Sequence, residues 1–217
     1  MRIGINKVHF PVTTLGFGRR IGLWMQGCSI RCPECISQDT WAFDPDKKVE
    51  IEYLMREMTP WFAAADGITI SGGEPFDQPE CLDHLLLNLL SIVRGDIIVY
   101  SGYSCDRLFS RYPDILAFID VLISEPFEAG AGHSLVLRGS DNQKIFLMTA
   151  LAKSRYASDI DQCQWNGKRR LDAVVDGDAL WLAGIPTPGA MESLRTELAR
   201  RGMGCSTSDQ YKPMVRA

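Results

Sequence analysis

Short apolar runs that stop at glycine or a small polar residue recur along this chain, and helical patterns separate them. IGLWMQG (21–27), GITIS (67–71), DIIVYSGY (96–103) and VLIS (121–124) have the length and side chains of buried strands, and SLVLRG (134–139) is a further candidate. Between them, Ile51, Leu54, Met55, Met58 and Phe62 fall at helical spacing within 49–64. ECLDHLLLNLLSIV (80–93) carries a broad apolar face, and RLFSRYPDILAFI (107–119) reads as mostly helical with a break at Pro113. Strands alternating with helices predict an α/β fold of βα units around a parallel sheet. The glycine-rich and polar signals come directly after strands, at the edge where such sheets bind ligands.

The pattern changes after about residue 146. QWNGKRRLDAVVDGDALWLAGI reads as a β-hairpin, with Asn166-Gly167 and Asp176-Gly177 as turn signals. PGAMESLRTELARRG reads as an amphipathic helix ending at Gly202, and the tail CSTSDQYKPMVRA has no clear period. We therefore expect a core domain over 1–149 and an extension over 150–217, packed on the core so that Trp165 and Trp181 are covered.

Charge and hydropathy exclude some classes. A net charge of −4 gives no overall basic field for nucleic acid. The N-terminal MRIGINKVHFPVTT lacks the apolar core of a secretory signal, and the apolar runs are too short to span a bilayer. The expectation is a cytoplasmic protein without membrane or nucleic-acid partners. In a reducing compartment, cysteines serve as metal ligands or core residues more often than as disulfides.

Of the seven cysteines, only Cys28, Cys32 and Cys35 cluster, in GCSIRCPEC (27–35). Cys81 lies in a helical pattern, as a buried thiol would, and Cys163 and Cys205 are isolated. One reading is a zinc knuckle completed by a distant ligand such as His133 or Cys163. Another is three thiols that are merely neighbours. A 4Fe–4S cluster fits better, because a compact loop can reach three of its corners, leaving the fourth iron open for chemistry.

C-x3-C-x2-C on the loop after a strand resembles the radical S-adenosylmethionine (SAM) superfamily. The resemblance implies that Cys28, Cys32 and Cys35 hold one 4Fe–4S cluster, whose open iron chelates the amino and carboxylate groups of SAM. Reductive cleavage then yields methionine and a 5′-deoxyadenosyl radical. SGGEP (71–75) is similar to the family's GGE motif, which implies SAM contacts by Gly72, Gly73, Glu74 and Pro75. Glycines let backbone approach a ligand, and a carboxylate accepts from an ammonium; the alternative for Glu74 is a cap on the next helical turn.

Within the superfamily the chain looks like the activating enzymes of glycyl-radical proteins, and especially the activating proteins of anaerobic ribonucleotide reductase. LGFGRRIGLWMQGCSIRCPECISQDTW (15–41), SGGEPF (71–76), IIVYSGY (97–103) and LRGSDNQ (137–143) carry that likeness, which covers roughly 8–148. It implies an incomplete (β/α)6-type partial barrel, with Ser101 and Gly102 beside the SAM ribose and adenine. Arg138 is a candidate partner for a carboxylate of SAM or of a partner peptide, or else forms a surface ion pair. Asn142 and Gln143 suit binding to neighbouring backbone, Tyr103 suits the core or a ribose, and Thr40-Trp41 suit packing of the cysteine loop.

Three features depart from the family. Glu34 precedes the third cysteine, where an aromatic residue or glycine is usual. Ser124-Glu125 ends the VLIS strand where an aspartate contacting SAM is usual. Residues 150–217 have no counterpart in the reductase-activating proteins. The implied function is hydrogen abstraction from a glycine of a partner glycyl-radical enzyme, with an external electron donor such as flavodoxin or ferredoxin. The alternatives are radical modification of a peptide or small molecule, and a non-catalytic module that binds cluster and SAM.

Overall fold

A computed structural model describes residues 1–167, 169–177 and 179–210. A seven-stranded sheet organises the chain. Its strands are β1 (Arg2–Val12), β2 (Arg20–Met25), β3 (Lys48–Glu50), β4 (Gly67–Gly72), β5 (Asp96–Tyr100), β6 (Val121–Ser124) and β7 (Lys144–Leu147), in the order β3-β1-β2-β4-β5-β6-β7. The central β2-β4-β5-β6 pairs are parallel, and β1 and β7 join them antiparallel. The α/β class holds, with antiparallel strands at both flanks.

Side chains alternate across the sheet as strand geometry requires. Ile21, Leu23, Met25, Ile68, Ile70, Ile97, Val99 and Leu122 join one core. It is covered by α1 (Ile51–Phe62), α2 (Pro79–Leu90), α3 (Cys105–Arg111) and α4 (Pro113–Leu116). Ile51, Leu54, Met55 and Met58 are buried as their spacing predicts. The break between α3 and α4 is local: Pro113 cannot continue the hydrogen-bond ladder, and Tyr112 before it leaves the helical region at φ −131° and ψ 40°.

The opposite face carries a second cluster of Ile98, Val121, Ile123, Ile145, Ala152 and Tyr156, the last two from and just after α5 (Ala150–Arg155). It also buries Arg20 and Asp96, both fully inaccessible and joined at 3.1 Å. Arg20 donates from Nε to Thr69 Oγ1 at 2.7 Å and from Nη2 to the Ile68 carbonyl at 2.6 Å. Asp96 also receives Arg155 at 3.1 Å and the Tyr156 hydroxyl at 3.0 Å. This network ties together β2, β4, β5 and the segment after α5.

Beyond it, β8 (Leu171–Asp176) and β9 (Ala179–Gly184) form the expected hairpin, and α6 (Ala190–Arg200) ends before Gly202 at φ +76°. Asn166-Gly167 lies in the preceding loop and not at the hairpin turn; residue 178 of that turn and residues 211–217 of the tail fall outside the described residues. Asp172 accepts from Thr13 N and Oγ1, both at 2.7 Å, and Trp181 meets Trp24 edge-on at 4.9 Å.

One expected strand is absent among the described residues. SLVLRG is not a strand: Leu137 sits at φ +58°, which no strand residue adopts, and Leu135 makes only an isolated bridge to Gln164. The antiparallel partner of β6 is β7 instead. Conversely, β1 carries a weak sequence signal, because its apolar alternation changes parity between Ile5 and Val8, where the pairing register also shifts.

Asp96→Ala would leave the Arg20 guanidinium buried without its counter-charge. We expect a loss of about 3–5 kcal/mol in urea unfolding; a loss below about 1 kcal/mol, the scale of an exposed pair, would show that the network contributes little.

Candidate functional site

The cysteine loop begins where β2 ends, and its two ends are stitched together. Gly27 N donates to the Thr40 carbonyl at 2.7 Å and Cys28 N to the Trp41 carbonyl at 3.1 Å. Gln26 anchors the lobe: its Nε2 donates to the Ala42 carbonyl at 2.7 Å, and its Oε1 accepts from Asn6 at 2.9 Å. Gly27 needs its φ of +103°, and a Cβ there would stand 2.7 Å from the Phe43 ring. Arg31 and Glu34 also take positive φ, at 51° and 60°, which curls the chain between the cysteines. Thr40 is buried and bonds the Ser37 carbonyl at 2.7 Å, so it packs the loop as expected.

Cys28, Cys32 and Cys35 are half-buried free thiols. Burial raises the pKa of all three; for Cys35, burial first and then charge on Cys32 and Cys28 push it up to about 11. Among the described residues, no three His, Cys, Asp or Glu side chains form a group set to hold a single metal ion. A 4Fe–4S cluster asks for less convergence, since each thiolate takes a separate iron. Three soft donors on one curled lobe suit such a cluster.

Three strand ends frame the lobe. After β4, Gly73 N donates to the Met25 carbonyl at 3.0 Å and Glu74 N to the Gly27 carbonyl at 2.9 Å. A Cβ on Gly73 would lie 2.2 Å from the Gly27 carbonyl oxygen, so only glycine allows this crossing. After β5, a Cβ on Gly102 would lie 2.7 Å from Ile30 of the lobe. After β6, the Phe127 backbone N–H faces the Cys32 sulfur.

Glu74 joins two of these ends. Its Oε1 accepts from Phe76 N at 3.0 Å and Ser101 Oγ at 2.8 Å, and its Oε2 from Gly102 N at 2.8 Å. It thus caps the short turn Pro75–Asp77 and also clamps the end of β5. Burial outweighs these three donors and pushes its pKa up to about 7. Two carboxylate oxygens offer about four acceptor positions, so room remains for a further donor. At the end of β6 the fully buried Ser124 Oγ has no hydrogen-bond partner among the described residues, and neither does Asn142 Oδ1.

Arg138 stands apart from this group. Its guanidinium is buried and donates to the carbonyls of Gln143 at 2.6 Å and Asp161 at 2.8 Å, and it pairs with the Asp161 carboxylate at 3.1 Å. Among the described residues no hydrogen bond joins Arg138 to the cysteine lobe or to Glu74. Asn142 and Gln143 bind the Pro126 and Glu125 carbonyls, at 2.8 and 3.0 Å. His133 faces two carbonyls of its own loop, and Cys163 faces Asp159.

Asp77 was not singled out from the sequence. Its carboxylate accepts from Ser29 N at 2.6 Å and Ser29 Oγ at 2.9 Å, and from the Tyr103 hydroxyl at 2.5 Å, tying the lobe to both the GGE turn and β5. Its position two residues after SGGEP is the only sequence signal.

The family described as 4Fe-4S single cluster domain matches residues 14–146, more than half the chain, and the chain belongs to that family. Similar curated proteins include the anaerobic ribonucleoside-triphosphate reductase-activating protein of Haemophilus influenzae. It is 33% identical over 147 residues, covering 63% of this chain and 94% of that protein. The protein of the same name from Escherichia coli K12 is 29% identical over the same shares. The pyruvate formate-lyase-activating enzyme of Staphylococcus epidermidis is 37% identical over 169 residues, 74% of this chain and 65% of that enzyme.

The raised pKa of Glu74 fixes a direction. A buried acid with an elevated folded-state pKa contributes stability below its unfolded pKa, and that contribution is lost as pH rises through about 7. In iron-free protein, Glu74→Gln should therefore flatten the fall in urea stability between about pH 4.5 and 7, removing up to about 3 kcal/mol of pH dependence. An unchanged slope would mean that the group titrates near its ordinary value.

Proposed function

We propose that the protein is a radical SAM activating enzyme that generates a glycyl radical on a partner enzyme. The observation that carries this is the assembly of three thiols and a buried GGE carboxylate on one sheet edge, in a chain similar to named activating proteins. Cys28, Cys32 and Cys35 would ligate the cluster. Bound there, a 4Fe–4S cluster supplies the electron that cleaves SAM and so yields the radical that abstracts hydrogen.

The chain's own residues bind and orient. Glu74, under-compensated in its buried place, would accept from the SAM ammonium, which would return it to the ionised state. The narrow Gly72-Gly73 turn would leave backbone as its neighbour, and the orphaned Ser124 Oγ on the same rim supports a polar ligand there. Ser101 and Gly102 act here by holding Glu74 in place. Arg138 is better explained as a brace for the 159–162 segment than as a SAM contact.

The parallel β2-β4-β5-β6 unit, with α1–α4 on one face, supports the partial-barrel reading of the core. Residues 150–217 would then be an extension that borders the partner's approach. No helix among the described residues is long and apolar enough to cross a membrane. We take the cytoplasm as the site of action, and flavodoxin or ferredoxin as the donor class.

Anaerobically reconstituted protein should hold about four iron and four sulfide per chain. Cys28→Ala, Cys32→Ala and Cys35→Ala should each lose them, while Cys81, Cys105, Cys163 and Cys205 to Ser should not. With dithionite and SAM, the wild type should release 5′-deoxyadenosine and methionine, and with its partner a glycyl-radical EPR signal. Iron retained in full by the triple cysteine variant would overturn the reading. Glu74→Ala should keep its iron but bind SAM about tenfold more weakly or worse, the scale of one charged hydrogen bond; equal affinity by anaerobic calorimetry would make the turn purely structural.

A further inference from the structure

The C-terminal end of the described chain returns to the cysteine lobe. Arg195, on α6, donates from Nη1 to both Asp209 carboxylate oxygens, at 3.1 and 3.0 Å, and to Thr207 Oγ1 at 2.5 Å. These bonds fix the turn Ser208–Gln210. From it, Ser208 Oγ donates to the Ile36 carbonyl at 2.6 Å. Ile36 directly follows Cys35.

That carbonyl belongs to the peptide group whose N–H is on Ser37, and this N–H faces the Cys35 sulfur. The Trp41 indole N–H faces the same sulfur. A peptide group is planar, so a hydroxyl that holds its oxygen also fixes where its N–H points. Hydrogen bonds in series polarise one another, by roughly 10–30% per bond. The Ser208 hydroxyl, the Ile36–Ser37 peptide and the Cys35 sulfur stand in line for such a series.

We propose that Ser208 is a positioning residue for the cluster, setting its reduction potential through the Ile36–Ser37 peptide and the Cys35 sulfur. The physical basis is general: N–H donors to a cluster's sulfurs stabilise the extra negative charge of the reduced state and raise the potential. Arg195 acts one step further back, by holding the turn that carries Ser208. Both residues lie outside the matched stretch 14–146, so part of the electronic tuning of this site comes from beyond the family core. The inference rests on Cys35 being a cluster ligand.

The test uses the full chain, reconstituted anaerobically, with potentials read by EPR-monitored redox titration. EPR sees only the loaded fraction, so partial loading does not spoil the reading. Ser208→Ala should carry a cluster of more negative midpoint potential than the wild type and release iron faster to a chelator. Ser208→Thr keeps the hydroxyl and should return both to the wild-type values. Arg195→Ala should shift the potential in the same direction as Ser208→Ala, and the exposed neighbour Ser206→Ala should not shift it. A potential unmoved by Ser208→Ala, or moved equally by Ser206→Ala, overturns the role of Ser208. A Cys35→Ala protein that keeps its iron instead overturns the ligand assignment beneath it, so the two failures are told apart.

Discussion

Gly73 passes the Gly27 carbonyl so closely that a side chain cannot stand between them, and the organisation of the site follows from that approach. It lets Glu74 N reach the Gly27 carbonyl, which makes the turn after β4 and the root of the cysteine lobe one body. The same turn then buries the Glu74 carboxylate against Ser101 and Gly102, which brings in β5. Asp77, three residues further on, fastens Ser29 and Tyr103 to the other side. Cysteine lobe, SAM-type turn and third strand are thus coupled by backbone hydrogen bonds and two carboxylates more than by apolar packing. Such coupling suits a site whose ligands arrive from solvent, because the polar groups are already placed.

The opposite face is organised differently. Arg20, Thr69 and Asp96 are all buried, and the Arg20 guanidinium spans the beginnings of the parallel strands. A buried ion pair of this kind holds geometry more surely than it adds stability, since desolvation offsets much of the attraction. The helical face supplies apolar burial, and the Arg20 network fixes how β2, β4 and β5 stand relative to one another. Their far ends, where the lobe and the GGE turn sit, inherit that placement.

The parts of this site that are legible in the sequence are those where chemistry dictates residue type at short range. Three cysteines within eight positions and a GGE turn after a strand are such cases, and the strands and helices that carry them fall close to the expected bounds. What stays hidden depends on partners far along the chain. Asp77 answers Ser29 across 48 positions and Gln78 answers Gly4 across 74, and neither residue carries a local mark of its role. Arg138 shows what residue type alone does not reveal: it is one of the most buried side chains, and half of the carbonyls that receive it, with the Asp161 carboxylate, come from a segment about twenty positions later. Leu135, Val136 and Leu137 imitate a strand by composition, but Leu137 packs on the second core cluster from a loop, at φ +58°.

The network around Asp96 has a bearing on how such a chain grows. Arg155 and Tyr156 reach Asp96 from beyond the stretch that the family covers, and Ala152 and Tyr156 complete the second core cluster. What looks in sequence like a tail added after a finished domain has its root inside that domain, as a graft has in its stock. Trimming this chain back residue by residue to the family boundary would therefore cut into the Asp96 network. The first few residues after α5 begins are part of what holds the sheet together.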